Sequence, residues 1–265
     1  MTLNDYDVKP GDTLYVQDRG TQVSYRLAQI LINIGPVISF TLFWAYRLEI
    51  YSFCLGENHV GDEENLVHFK PTLAQDVAIK MALCHFMKRI LECTFVHFYS
   101  KPTKSLSNLV LELGYFWLFF GTVVPFYLFH PHYQADGFFT QVLHLPQGTV
   151  SYIYHFLTAV FGLAEMMNLL CHIHLKSFRK GDHDYTRGIP RLHGYQAVSC
   201  ANYFWEFLAW VTFALVAQTL ASFLFVSACF FRMNFRAHRK HHRYIAQFKN
   251  LYPADERCYF IPYLF

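Results

Sequence analysis

The stretch VSCANYFWEFLAW, residues 198–210, is among the most apolar of the chain, yet it holds an amide, Asn202, and a carboxylate, Glu206. One helical turn separates the two, so a helix presents them on one face. Two other apolar stretches carry similar stripes. In MALCHFMKRILECTFVHFY, His85, Lys88, Arg89 and Glu92 follow the i, i+3, i+4, i+7 spacing of a single helix face. In GLAEMMNLLCHIHLKSFRK, Glu165, Asn168, His172, Lys176 and Arg179 form another. Charges at membrane depth are costly and almost always face a bundle interior or a wet cavity. Three stripes therefore imply one shared polar cavity, and a wall of Lys, Arg, His and Asn suits an anionic ligand. Each stripe also has a plainer reading. Lys88 and Glu92 can be an i,i+4 pair at a helix end. His172 and His174 can be packing histidines near the interface. Asn202 and Glu206 can be polar glue between helices.

The elements that hold these stripes read as membrane helices. Of 265 residues, 54% are hydrophobic and only 15% charged, with 28 Phe and 18 Tyr and a mean hydropathy of +0.17. A soluble domain carries about a quarter charged residues. A span needs roughly 20 mostly apolar residues, and six stretches qualify: about 24–46, 73–99, 106–129, 150–175, 196–217 and 218–235. The expectation is an all-α, polytopic bundle of about six transmembrane helices, the last two joined by a tight hairpin. Residues 1–22 form a polar N-terminal segment, in which DTLYVQD (12–18) alternates like a short strand, and residues 23–265 the membrane-embedded domain. The first twenty residues contain no signal-peptide core, so the first span itself directs insertion.

The loop 130–149 has no Lys or Arg, whereas the loop 176–194 has five and the tail after 235 has six more. The excess of Lys and Arg in cytoplasmic loops then places both termini in the cytosol. Seven cysteines without a CxxC pair give no disulfide framework or zinc site. A net charge of +3 without a basic run interleaved with aromatics excludes nucleic acid as a partner. No G-x-G-x-x-G, P-loop or G-x-S-x-G occurs, so any nucleotide must be held by side chains between helices. HRKHH (238–242) matches the H-x-x-H-H box of membrane di-iron enzymes, and imidazole suits iron. HPH (130–132) and HIH (172–174) do not fit the companion boxes, and a basic tail accounts for HRKHH better; no metal site is assigned.

Four stretches together carry a family resemblance: HFMKRILECTFVHFYS (85–100), VSCANYFWEFLAW, the ending HHRYIAQFKNLYP…IPYLF (241–265) and TLYVQDRGTQVSYR (13–26). The chain resembles the steroid 5α-reductase superfamily, and specifically its very-long-chain trans-2-enoyl-CoA reductase branch, from about residue 13 onward. Residues 1–22 then look like the remnant of that branch's ubiquitin-like domain. The resemblance implies an endoplasmic-reticulum enzyme of fatty-acid elongation that uses NADPH to reduce the C2=C3 bond of a very-long-chain trans-2-enoyl-CoA, in company with other elongation enzymes. Residue by residue, it implies that Asn168, His172, Arg179 and Arg187 contact cofactor, with Arg89 beside them on its stripe. Asn202 and Glu206 hold the nicotinamide end, Arg236, His241 and Tyr244 form a C-terminal clamp, and Lys88 and Tyr203 are the catalytic pair.

Two departures are visible. Where the steroid branch has a tyrosine, this chain has Phe86, which cannot donate a proton and so favours the enoyl-CoA branch. The spacing between Phe248 and Pro253 is one residue longer than usual, and Ala201 stands where a proline is expected. On this reading, the hydride goes to Cβ while Tyr203, a phenol with a reference pKa of about 10, delivers a proton toward Cα or the enolate oxygen. Lys88 either lowers the tyrosine's pKa or binds a phosphate. A sterol or steroid reductase with the same cofactor site is the alternative; a non-catalytic elongation-complex scaffold and a di-iron hydroxylase or desaturase rank lower.

Overall fold

The computed structural model describes residues 18, 20–55, 71–133 and 137–264; all of the DTLYVQD segment except Asp18 lies outside them. Strand β1 (Gln22–Ser24) leads into helix α1 (Tyr25–Ala45), followed by α2 (Arg47–Leu55) and α3 (Leu73–Leu91). Strand β2 (Thr103–Ser105) precedes the helical segment α4 (Leu106–Leu128); α5 (Gln147–Lys176), α6 (Ala201–Ala217) and α7 (Leu220–Phe248) complete the bundle. The two strands pair antiparallel, Val23 opposite Lys104, and tie the entrance of α1 to that of α4.

Six long helical segments thus stand where the hydropathy placed six spans. By length and composition alone, three are apolar enough to cross a membrane: Tyr25–Ala45, Leu106–Leu128 and Gly148–Lys176. The others fall short for visible reasons. Helix α3 carries Asp76, Lys80, Lys88 and Arg89, α6 has 17 residues, and the second half of α7 is basic. The span expected from residue 196 begins as a helix only at Ala201, because 195–200 make turn contacts with the C-terminal tail. Helix α7 runs to Phe248, well past the apolar stretch that ended near 235.

Local chemistry sets the helix ends. Thr72 and Gln75 form a reciprocal capping box at α3, and Thr219 and Ser222 do the same at α7. Gln218 takes a left-handed conformation (φ 45°) between α6 and α7, which makes the expected tight hairpin. Of three π-helical stretches among the described residues, Phe138–Val142 stands apart and two belong to the long helices. One, Glu92–Val96, extends α3 and brings His97 within 4.7 Å of His172, ring to ring. The other, Gly114–Val123, lies inside α4. Such bulges are frequent at functional sites.

The core is aromatic. Phe40, Phe86, Phe120, Trp210, Phe213 and Phe225 are each at most 1% exposed. Phe120 lies 4.9 Å from Trp210 and 4.5 Å from Phe225, centroid to centroid. Lipid tails are as apolar as these rings, so close packing rather than exclusion from water holds the helices together. Edge and tilted ring contacts contribute about 0.5–1.5 kcal/mol each beyond burial.

Behind the bundle, the C-terminal tail folds back as a strap. Val198 bridges Cys258, and Arg257 Nη1 donates to the Pro190 carbonyl at 3.0 Å. Buried Ser199 lies 2.6 Å from His241 Nδ1 and 2.5 Å from the Tyr252 hydroxyl.

Candidate active site

A cavity of about 560 Å³ opens among α1, α3, α4, α5, α6 and α7, within the usual size of a ligand site, about 300–1,000 Å³. All three polar stripes meet around it. From α3 and its π turn come His85, Arg89, Cys93 and His97; from α5 and the residues after it, His172, Lys176 and Arg179. Helix α6 contributes Asn202, Tyr203, Glu206 and Trp210, and α7 contributes Arg232, Arg236 and Lys240. Six cations, Arg89, Lys176, Arg179, Arg232, Arg236 and Lys240, face two carboxylates, Glu112 and Glu206. A smaller cavity of about 170 Å³ adjoins it, sharing Leu175, Arg179 and Lys240 and adding Arg187, Arg243 and Tyr244.

Of the residues singled out in the sequence, Arg89, His172, Arg179 and Arg236 line the large cavity together with Asn202, Tyr203 and Glu206. Arg187 and Tyr244 line the small one. Three lie elsewhere. Lys88 Nζ sits behind the wall, 2.7 Å from Glu165 Oε2, 2.6 Å from Asn168 Oδ1 and 3.4 Å from Glu92 Oε1. Asn168 is fully engaged, since its Nδ2 donates to the Asn202 carbonyl at 2.8 Å. His241 turns to Ser199 and so anchors the tail.

Glu92 is the hub on the cavity side. It is 1% exposed, with Arg89 Nη1 at 2.8 Å and His172 Nδ1 at 3.1 Å on the same oxygen. Glu92, His97 and His172 bring one potential ligand atom each within 4.8 Å of one another. Arg89 and Lys88 already balance that carboxylate, so the trio reads as an ion-pair network. In the tail, His238 and His242 approach at 3.0 Å, Nε2 to Nε2, while His241 commits Nδ1 to Ser199.

Asn202 is more constrained than its sequence position suggested. Its Oδ1 accepts from the Tyr195 hydroxyl at 3.1 Å, which leaves its Nδ2 donors for a ligand. Glu206 makes no ion pair among the described residues. Lys240 Nζ lies 5.8 Å from the Tyr203 ring centroid and 5.6 Å from that of Tyr244, and no carboxylate lies within 4.0 Å of it among the described residues. Sequence reading passed over it as part of a basic tail. The signal was available: Arg236, Lys240 and Tyr244 recur every four residues, one face of a helix.

The loop behind Arg179 is stapled at its base. Arg26 Nη2 and the Tyr99 backbone N–H bind the two oxygens of Asp182 at 2.6 and 2.9 Å. The Tyr99 N–H, followed by Arg26, holds the Asp182 carboxyl below its ordinary range. Asp184 is held down to about 2, first by the Lys180 backbone N–H and then by Thr186. Arg179 donates to the Phe98 carbonyl, closing the same seam.

Comparison with known proteins settles the family. The sequence pattern of the 3-oxo-5-alpha-steroid 4-dehydrogenase family matches residues 102–265. The chain belongs to that family. It is 30% identical to a very-long-chain enoyl-CoA reductase of Dictyostelium discoideum over 254 residues, covering 95% of this chain and 74% of that protein. It is 26% identical to a human trans-2,3-enoyl-CoA reductase-like protein over 242 residues, covering 90% of this chain and 61% of that protein. Membership makes the chain an oxidoreductase acting on CH–CH bonds, and a nicotinamide cofactor goes with that chemistry. The wall fits such a group: the cations suit a phosphorylated anion, and the Asn202 amide and unpaired Glu206 carboxylate offer a donor and an acceptor for a carboxamide.

Proposed function

We propose that the protein reduces the C2=C3 bond of very-long-chain trans-2-enoyl-CoA with NADPH, as the last step of fatty-acid elongation. The observation that carries this reading is Tyr203, set in a cation-rich cavity between Asn202 and Glu206 on a helix of the membrane bundle. Relatives across most of the chain bear the name enoyl-CoA reductase. NADPH, when bound, supplies the hydride for Cβ.

The chain's own residues do the rest. Lys176, Arg179, Arg187, Arg236 and Lys240 hold phosphates, with a 2′-phosphate favouring NADPH over NADH. Asn202 and Glu206 orient the carboxamide. Tyr203 donates its hydroxyl hydrogen bond to the thioester oxygen, where negative charge develops. Lys240, beside that ring, and Lys88, behind the wall, set the field around it. Charge neutralisation at the basic mouth keeps the CoA head outside while the acyl chain lies among apolar helices. The setting is the endoplasmic-reticulum membrane with both termini cytosolic, alongside the other elongation enzymes.

The test is to incubate purified protein with NADPH or NADH and trans-2-enoyl-CoAs of increasing chain length, with a 4-ene-3-ketosteroid in parallel. Saturated acyl-CoA formed with a preference for NADPH is the expected result. Turnover of the steroid alone would move the substrate assignment to the activity that the family's description names.

A further inference from the structure

One buried ionisable group on the cavity wall has no part in the scheme above. His85 is 2% exposed, and its Nδ1 lies 2.6 Å from Glu165 Oε1. Glu165 is itself 5% exposed and held on its other oxygen by Lys88. Trp210 packs on the imidazole at 4.3 Å, centroid to centroid, and lines the same cavity. With Nδ1 committed, Nε2 is the nitrogen left to face a ligand; among the described residues nothing hydrogen-bonds it. A carboxylate behind an imidazole fixes the ring and the position of its proton, and faces the charge the ring takes up when protonated.

Reduction of an enoyl thioester sets two tasks, stabilising charge at the oxygen and delivering a proton to Cα. Hydride addition at Cβ sends the π electron pair toward Cα and the thioester oxygen. A donor at that oxygen stabilises the charge but leaves Cα one proton short. We infer that His85 is the proton carrier for Cα, with Glu165 as its positioning residue; the inference rests on the proposed enoyl-CoA reading. The Nε2–H bond breaks and the Cα–H bond forms with the enolate's electron pair. The ring is left neutral on Glu165 and regains its proton from water at the cavity mouth. Tyr203 keeps the oxygen. The two tasks thereby fall to two helices, α3 and α6, rather than to one tyrosine. Lys88 is not the carrier, since Glu165 and Asn168 occupy it and it does not line the cavity.

The test uses the full chain in detergent and the variants His85→Gln and Glu165→Gln. Two readouts are taken beside the melting temperature. The first is kcat and KM for trans-2-hexadecenoyl-CoA with NADPH. The second needs no cofactor: hydrogen–deuterium exchange at Cα of hexadecanoyl-CoA in D2O, followed by mass spectrometry, since a group that protonates Cα also removes that proton. His85→Gln is expected to abolish exchange and to lower kcat by about 10²-fold or more, with KM unchanged. Glu165→Gln, which keeps a hydrogen-bonding partner for Nδ1 and loses the charge, is expected to slow both, again through kcat. Wild-type exchange and turnover in His85→Gln overturn the assignment while leaving the enoyl-CoA reading intact. A loss that follows only a lowered melting temperature, without a kcat effect in Glu165→Gln, makes the pair structural and overturns it too. A wild-type protein that reduces no enoyl-CoA overturns the reading and this inference together.

Discussion

Around Glu165 and Glu92, two buried carboxylates are balanced by Lys88, Arg89, His85 and His172, with Lys88 bridging both. Removing one partner of such a network leaves an uncompensated buried charge, which costs about 3–5 kcal/mol. Lys88→Met is therefore expected to lower stability by about 3 kcal/mol, read as a shift in denaturant midpoint, while the folded fraction keeps most of its NADPH affinity. A large drop in kcat at unchanged stability would instead put Lys88 in the chemistry. Tyr203→Phe is the complementary case. The ring and its packing stay, so stability should hold, while losing one donor at a developing oxyanion lowers kcat by about 10²–10³. Steady-state kinetics beside a melting curve separate the two. At this scale the sequence was informative about which faces are polar, because a 3.6-residue period leaves a stripe in the string. It could not show that Lys88, on the same stripe as Arg89, is pulled behind the wall; that depends on Glu165, 77 residues away, arriving from another helix.

Helix α4 and helix α1 approach through Gly35. A Cβ built there would lie 2.3 Å from the Trp117 ring, whose Nε1 donates to the Leu31 carbonyl at 2.8 Å. Trp117 sits within the π-helical stretch Gly114–Val123, and Pro36 follows the glycine inside α1. Gly35→Ala must displace the indole or part the helices. The expected loss is about 1–3 kcal/mol, the range for overpacking a tight contact. Thermal unfolding in detergent measures it, and adding Trp117→Leu to the alanine variant should recover part of it. The six helical segments were readable because apolar length is a strong signal. The π turns were not, since none leaves a period of its own, and one of them places Cys93 and His97 at the cavity. The start of α6 was read five residues early because Ala197, Val198 and Cys200 continue the apolar run of the helix; what unwinds it is the tail bonded to Ala197 and Ser199.

Over the whole molecule, residues distant in sequence close the site by hydrogen bonds that no local pattern announces. Arg26 on α1, Tyr99 after the π turn and Asp182 in the basic loop meet at one carboxylate. His183 N donates back to the Tyr99 carbonyl at 2.8 Å, which adds a backbone hydrogen bond to the seam. Arg179 and Arg187 flank this staple on the loop they help to anchor. Its pH dependence follows from the direction of the Asp182 shift. The carboxyl is held below its ordinary value, chiefly by the Tyr99 N–H and then by Arg26. A group with a depressed folded pKa contributes stability fully above its unfolded value, about 3.9, and loses it as the pH falls through the folded one. The staple should therefore be intact at neutral pH and at pH 5. Asp182 should begin to let go as the pH falls below about 4, and Asp184, held down to about 2, adds to the opening in acid. Hydrogen exchange of the Tyr99 and His183 amides against pH reads this opening directly. Asp182→Asn should reproduce it at neutral pH, with weaker NADPH binding and only a small drop in melting temperature, because what is released is the loop that presents Arg179 and Arg187. Normal cofactor affinity in that variant would mean that the arginines are positioned by the helices alone.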